Sequence, residues 1–189
     1  PVLTPREYLK NHHKASRLIS QSAQSPFRYE SLKLWLDHGL DTLPLKNLQT
    51  AHSVLCEGWD ERKDYPKLTL PNCDVPLVSI IIPAYNKFEL TYHCIASLIL
   101  AHTSVSFEVI LADDCSDDET AQAEHYIENL RISRNDNNLM FLRNCNKAAD
   151  MAEGDYIIFL NNDTEVTSYW LDELISVISS DKQCGMVGS

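Results

Sequence analysis

The chain has 189 residues, long for one small domain and short for two large ones. Its 44% hydrophobic and 23% charged residues are ordinary for a soluble folded protein, and a formal net charge of −11 argues against a nucleic-acid binder, which would show a basic face. No apolar run approaches the ~20 residues of a membrane span, and residues 1–20 hold no signal-peptide core. The six scattered cysteines form no C-x-x-C pair and read as buried thiols of a cytoplasmic protein rather than as a disulfide framework.

Residues 1–58 read as a helical segment. Thr4-Pro5-Arg6-Glu7 is a capping box with proline at the first helical position, followed by Tyr8, His12, Ala15 and Ile19 at helical spacing. Ser25-Pro26 opens a second helix carrying Leu32, Trp35 and Leu36, stopped at Gly39. Leu45, Leu48, His52 and Leu55 form a third stripe ended by Gly58. His12-His13 reads as a solvated pair, because adjacent helical positions point apart. Residues 59–76 read as a linker, since Pro66, Pro71, Pro76 and a run of charges disfavour regular structure.

From residue 77 to 189 the pattern becomes strand, helix, strand, helix. Strands are expected at 78–82, 107–112, 131–134 and 156–160, with a last one over Cys184 to Val187. Helices are expected over 88–101, 117–130, 142–152 and 168–179. Strands alternating with helices of this length imply an α/β fold with a parallel sheet and right-handed crossovers.

Three strands share a design. Val78 to Ile82 stops at Pro83 and presents Ala84, Tyr85 and Asn86; Phe107 to Ala112 delivers Asp113-Asp114; Tyr156 to Leu160 delivers Asn161-Asn162-Asp163. Ligands of open α/β sheets bind beyond the strands' carboxyl ends, so these residues predict one crevice for a nucleotide and a divalent metal. Within Asp113 to Glu119, Ser116 and Glu119 form a capping box, and Asp117 and Asp118 suit a helix's positive end. Asp113 and Asp114 precede the cap, and adjacent carboxylates there need a donor or a cation; the plain alternative is a turn. Asp163, next to the amides Asn161 and Asn162, suits Mg2+ or Mn2+ on a nucleotide, which needs few protein carboxylates, though a polar turn explains it equally well in isolation. Tyr85 can stack on a base or simply enter the next helix. Asn146, a candidate donor-nucleotide contact, opens a small-residue helical face that Gly154 ends, and Lys147 and Arg143 are the cations best placed for a diphosphate, or else a solvated face.

Taken together, V-S-I-I-I-P-A-Y-N, A-D-D-C-S-D-D-E-T, N-L-M-F…N-K-A-A and A-E-G-D-Y-I-I-F-L-N-N-D-T-E-V resemble the first half of a family 2 glycosyltransferase with the GT-A fold, over residues 77–189. The L-N-N-D-T-E-V form resembles rhamnosyltransferase-like members of bacterial polysaccharide pathways. The resemblance implies that Pro83, Ala84 and Tyr85 wrap the nucleoside, that Asp114 binds the base beside Asp113, and that Asn161-Asn162-Asp163 stands at the D-x-D motif. Asn161 replaces that motif's first carboxylate, leaving Asp163 to hold the metal, and Met140 stands where glycine is common. It further implies a UDP- or dTDP-type sugar donor, a glycan or lipid-linked acceptor, and action in the cytoplasm at the inner membrane face. The general base of an inverting transfer is expected beyond Ser189, with no catalytic residue inside the chain, so the donor-binding half-domain reads as truncated. Among rivals, a sugar-phosphate nucleotidyltransferase needs a glycine-rich loop after the first strand, and none of the five glycines lies there. A non-catalytic nucleotide-binding or docking domain is the other alternative.

Overall fold

The computed structural model describes residues 30–31, 33–35, 45–60 and 62–188. The helix expected over 4–19, with His12-His13, and the stop at Gly39 lie outside these; residues 30, 31 and 33–35 are helical. The third stripe forms helix α1 (Leu45–Glu57), which buries Leu48, Ala51, Val54 and Leu55 along one side. Gly58 ends it at φ 79, a left-handed conformation open to glycine without a Cβ penalty.

The stretch read as a linker is only partly irregular. Strand β1 (Leu68–Thr69) is gripped by the Asn47 amide, which donates to Thr69 O at 2.7 Å and accepts Thr69 N–H at 2.9 Å. Leu68 and Leu70 are buried. Two leucines that can enter the core outweigh the flanking prolines.

Strand β2 (Val78–Ala84) leads to α2 (Phe88–Leu100) and β3 (Phe107–Asp113), close to expectation. The helix expected over 117–130 does not form. A 3-10 turn (Glu119–Gln122) and the short α3 (Ala123–Tyr126) give way to β4 (Ile127–Glu128), which pairs parallel with β1. Tertiary pairing overrides helical preference here: Ile127 is buried beside Leu68, and Leu70 N–H donates to Glu128 O at 3.1 Å. Then follow β5 (Arg131–Arg134), α4 (Met140–Ala149), β6 (Tyr156–Phe159) and α5 (Trp170–Ser180). Cys184 to Val187 forms no strand. It contains Gly185 and is followed by Gly188, and it pairs with no strand among the described residues.

The main sheet has the order β5-β3-β2-β6, all parallel. β2 and β3 lie in the middle, buried on both faces, which is why they read as continuous apolar runs. The chain steps outward from β2 to β3 to β5, then returns to β6 on the other side of β2. That reversal opens a crevice beyond the carboxyl ends of the central strands. One face packs on α1 and α2 in a single large core; the other places Ile81, Ile110 and Ala112 under Ala148 of α4. No helix among the described residues is long and apolar enough to cross a membrane.

Candidate functional site

A hollow of about 270 Å3 sits beyond the ends of β2, β3 and β6. Pro83, Ala84 and Tyr85 line it from β2, Asp114 from β3, Asn161 and Asn162 from β6, and Asn138, Met140, Phe141 and Asn144 from the start of α4. A larger hollow of about 400 Å3 lies near the amino end of β3 beside Trp35, Leu98 and Phe107, but no charged side chain lines it. The smaller hollow is the one with a carboxylate, Asp114, in its wall.

The β2 and β3 loops are stapled together. Asp114 N–H donates to Ala84 O at 2.9 Å, Asn86 N–H to Ser116 Oγ at 2.8 Å, and Asp117 N–H to Asn86 Oδ1 at 2.8 Å. Asn86 and Lys87 take left-handed backbone angles (φ 56 and 61) to make the turn. Asn86 is thus engaged with the neighbouring loop and does not line the hollow, whereas Tyr85 stands 56% exposed at its edge. Ser116 is not the helix cap that its spacing from Glu119 predicts. Asp118 caps the 3-10 turn, accepting Thr120 N–H at 2.9 Å, because Ser116 is committed to Asn86.

Adjacent Asp113 and Asp114 have different surroundings. Asp113 is fully buried; Oδ2 accepts from Arg134 Nε at 2.8 Å and Oδ1 from Ser116 N–H at 3.0 Å, so the pair of acids is separated by giving one its own cation. Asp114 is buried at the hollow's wall. Its Oδ1 accepts Leu139 N–H at 2.7 Å and Asn135 Nδ2 at 2.9 Å, while Oδ2 has no partner among the described residues. That leaves one carboxylate oxygen able to accept from a ligand N–H.

Asn135 and Asn144 were not singled out from sequence, yet they fix Asp114. Asn135 Nδ2 also donates to Asn144 Oδ1 at 2.9 Å, and Asn144 Nδ2 to Ala112 O at 2.7 Å. The available signal was a polar residue, Asn144, four positions before Ala148 on the buried stripe of α4. Lys147, a candidate for a diphosphate, instead donates to Asn135 Oδ1 and Arg134 O, both at 2.7 Å. Arg143 and Asn146 are exposed on α4 outside the hollow's lining.

On β6's side, Asn161 O accepts Thr164 Oγ1 at 2.7 Å, closing a tight polar turn. Beneath it, burial pushes the Cys94 thiol up to about 12, so it stays protonated. Asp163 is exposed, one residue past the hollow's lining, and makes no hydrogen bond or ion pair among the described residues. No three His, Cys, Asp or Glu side chains cluster as a metal cage among the described residues. A single free carboxylate beside amide oxygens is a hard donor set, which fits Mg2+ or Mn2+ only when ligand phosphates and water complete the shell.

The model for Glycosyl transferase family 2 matches residues 79–188. The UDP-Glc:alpha-D-GlcNAc-diphosphoundecaprenol beta-1,3-glucosyltransferase WfaP of Escherichia coli is 38% identical, over 53% of this chain and 39% of that protein. The inactive polypeptide N-acetylgalactosaminyltransferase-like protein 5 of Mus musculus is 30% identical, over 95% of this chain and 43% of that one. The crystal structure of S. aureus TarS 1-349 has a TM-score of 0.48 and 28% identity, over 55% of this chain and 32% of that one. The chain spans less than half the length of each of these relatives.

Proposed function

Because the chain belongs to glycosyltransferase family 2, we propose that it binds the donor in an inverting transfer of a sugar from a UDP- or dTDP-type nucleotide to an acceptor hydroxyl of a glycan or lipid-linked glycan. The observation that carries this reading is the hollow itself, where Tyr85, the unpartnered Oδ2 of Asp114 and the Asn161-Asn162 turn come together from three strand ends. Tyr85 offers a ring to stack on the base, and Asp114 Oδ2 accepts a pyrimidine N–H. In this reading residues 77–189 form the donor-binding half of a GT-A domain, 59–76 connect it to the segment 1–58 while lending β1 to the core, and the chemistry takes place at the inner face of the membrane. Asp163 is the residue to hold Mg2+ or Mn2+. Such an ion supplies Lewis-acid neutralisation of charge on the departing diphosphate. Asn161 and Asn162 orient that diphosphate, and Asp113 with Arg134 keeps the β3 loop rigid. Inversion also needs a general base on the acceptor side, whereas the hollow's residues serve the donor.

A second reading, nucleotide binding without catalysis, is favoured by one relative's being named inactive and by Asn161 standing at the first D-x-D position. Calorimetry with UDP and dTDP, with and without Mn2+, tests both. The transferase reading expects binding strengthened by Mn2+ and that increment lost in Asp163→Ala. Nucleotide binding indifferent to Mn2+ supports the second reading, and no nucleotide binding overturns both.

A further inference from the structure

Helix α2 is buried almost all the way round, from Phe88 through Leu100. A helix of that kind needs cover on every side. The sheet and α1 supply part of it, and the remaining side lies against the polar turn that carries Asp163.

The contacts there join four positions of α2 to residues of the turn. Thr91 Oγ1 accepts from Asn162 Nδ2 at 3.1 Å. His93 Nε2 meets Glu165 Oε2 at 3.3 Å. Cys94 Sγ lies 3.7 Å from both Asn161 O and Thr164 Oγ1. Ser97 Oγ accepts Val166 N–H at 3.0 Å while donating to Cys94 O at 2.7 Å. Thr91, Cys94 and Ser97 recur every third residue and so share one stripe of the helix. Thr91 and Ser97 are buried to 1% exposure or less, which is unusual for hydroxyls unless they are partnered. Asp163 sits in the middle of this series and is the one member of 161–166 whose side chain and backbone receive no such contact among the described residues. The Asn162 amide donates its N–H inward to Thr91, which leaves Oδ1 without a partner on a residue that lines the hollow.

We infer that α2 is the bed for the Asn161-to-Val166 turn, with Thr91, His93, Cys94 and Ser97 as positioning residues that set where Asp163 and the Asn162 amide oxygen meet a divalent cation on the donor diphosphate. This rests on the donor-and-metal reading above. The inward hydrogen bonds fix the turn from beneath, so its outward oxygens are held in place without using their own lone pairs. Supporting groups of this sort commonly change metal affinity when removed, although they touch no metal.

The test measures Mn2+ affinity at fixed UDP by electron paramagnetic resonance, together with UDP affinity without metal and the melting temperature. Thr91→Val keeps the shape and removes the acceptor. It is expected to weaken Mn2+ by roughly tenfold while metal-free UDP affinity and melting stay at wild-type values, and Thr91→Ser is expected to restore Mn2+ binding. In Ser97→Ala, faster amide exchange at Val166 with the same selective loss of Mn2+ affinity supports the inference independently. Mn2+ affinity equal to wild type in both Thr91→Val and Ser97→Ala overturns it and leaves the donor reading standing. Parallel loss of melting temperature and metal-free affinity also overturns it, since that is packing alone. A wild-type chain that binds UDP without responding to Mn2+ sinks the metal part of the donor reading, and this inference with it.

Discussion

The two ends of the main sheet carry similar polar groups but treat them differently. At the amino ends, Glu108 Oε1 accepts from Ser79 Oγ at 2.6 Å and from Glu153 N–H at 2.8 Å, and Oε2 meets Arg131. Arg131 also reaches Glu153 at 3.1 Å, and Ser79 Oγ accepts Gly154 N–H at 2.9 Å. The Glu108 carboxylate and the Ser79 hydroxyl are both fully engaged within the chain. At the carboxyl ends, Asp114 Oδ2, the Asp163 carboxylate and the Tyr85 hydroxyl have no partner among the described residues. The contrast matches the proposed function, in which the carboxyl ends of the strands are the side that faces the donor. The amino end closes the fold and the carboxyl end keeps capacity in reserve.

Substitutions at the two ends should therefore separate stability from binding. The largest effect belongs to Gly154→Ala. A Cβ there would stand 2.7 Å from Ser79 N and from Val78 C, both backbone atoms that cannot move aside without shifting β2. Overpacking of this kind costs about 2–3 kcal/mol, read as a lower urea midpoint with an unchanged slope. Tyr85→Ala should do the reverse. Its ring is half exposed and unneeded by the core, so stability should stay within about 0.5 kcal/mol of wild type. Loss of base stacking should weaken UDP or dTDP binding by about 1–3 kcal/mol. Equal binding in Tyr85→Ala would remove the ring from the site.

Acid sharpens the contrast further. Burial alone would raise the Glu108 pKa, but hydrogen bonds from Ser79, Glu153 N–H and Arg131 outweigh it and hold the carboxyl below the usual 4.5. A depressed carboxylate contributes stability that is fully present above the unfolded value and disappears as pH falls through the folded one. Wild type should therefore lose stability relative to Glu108→Gln below about pH 4.5, with the gap between them constant at higher pH. A gap that persists unchanged to pH 3 would show that the charge of Glu108 is not what matters.

The central strands were legible because burial on both faces leaves an unbroken apolar run, as in Ile80, Ile81 and Ile82. The ends of β2 and β3 were legible for the same reason, whereas β6 reads as an apolar run although it is an edge strand with Ile157 and Phe159 half exposed. What failed to show was set by partners distant in sequence. Nothing local in Glu124 to Glu128 announces that Ile127 will pair with Leu68, so a helix was the natural expectation. Asn86 reads as a ligand contact, but nothing local shows that its backbone N–H will donate to Ser116 and its Oδ1 accept from Asp117 N–H. Lys147 reads as a phosphate cation until Asn135 is placed beneath it. Each of these depends on one loop meeting another.

Met140 offers the smallest and most local test of how the carboxyl end is built. The turn into α4 gives it a left-handed φ of 65, although its side chain is 73% exposed and so gains little from packing. Left-handed backbone costs a residue with a Cβ about 1–2 kcal/mol, which glycine avoids. Glycine's greater freedom in the unfolded chain takes back part of that, about 0.5–1 kcal/mol. Met140→Gly should then stabilise the chain by about 0.5–1 kcal/mol in urea unfolding. The neighbouring Leu139 N–H donates to Asp114 Oδ1 at 2.7 Å, so the turn also fixes the acid that faces the hollow. Relaxing Met140 should leave that hydrogen bond in place and nucleotide affinity within about twofold. If affinity falls while stability rises, the Met140 side chain at the hollow's edge contributes to binding, and the strained turn is kept for the ligand rather than for the fold.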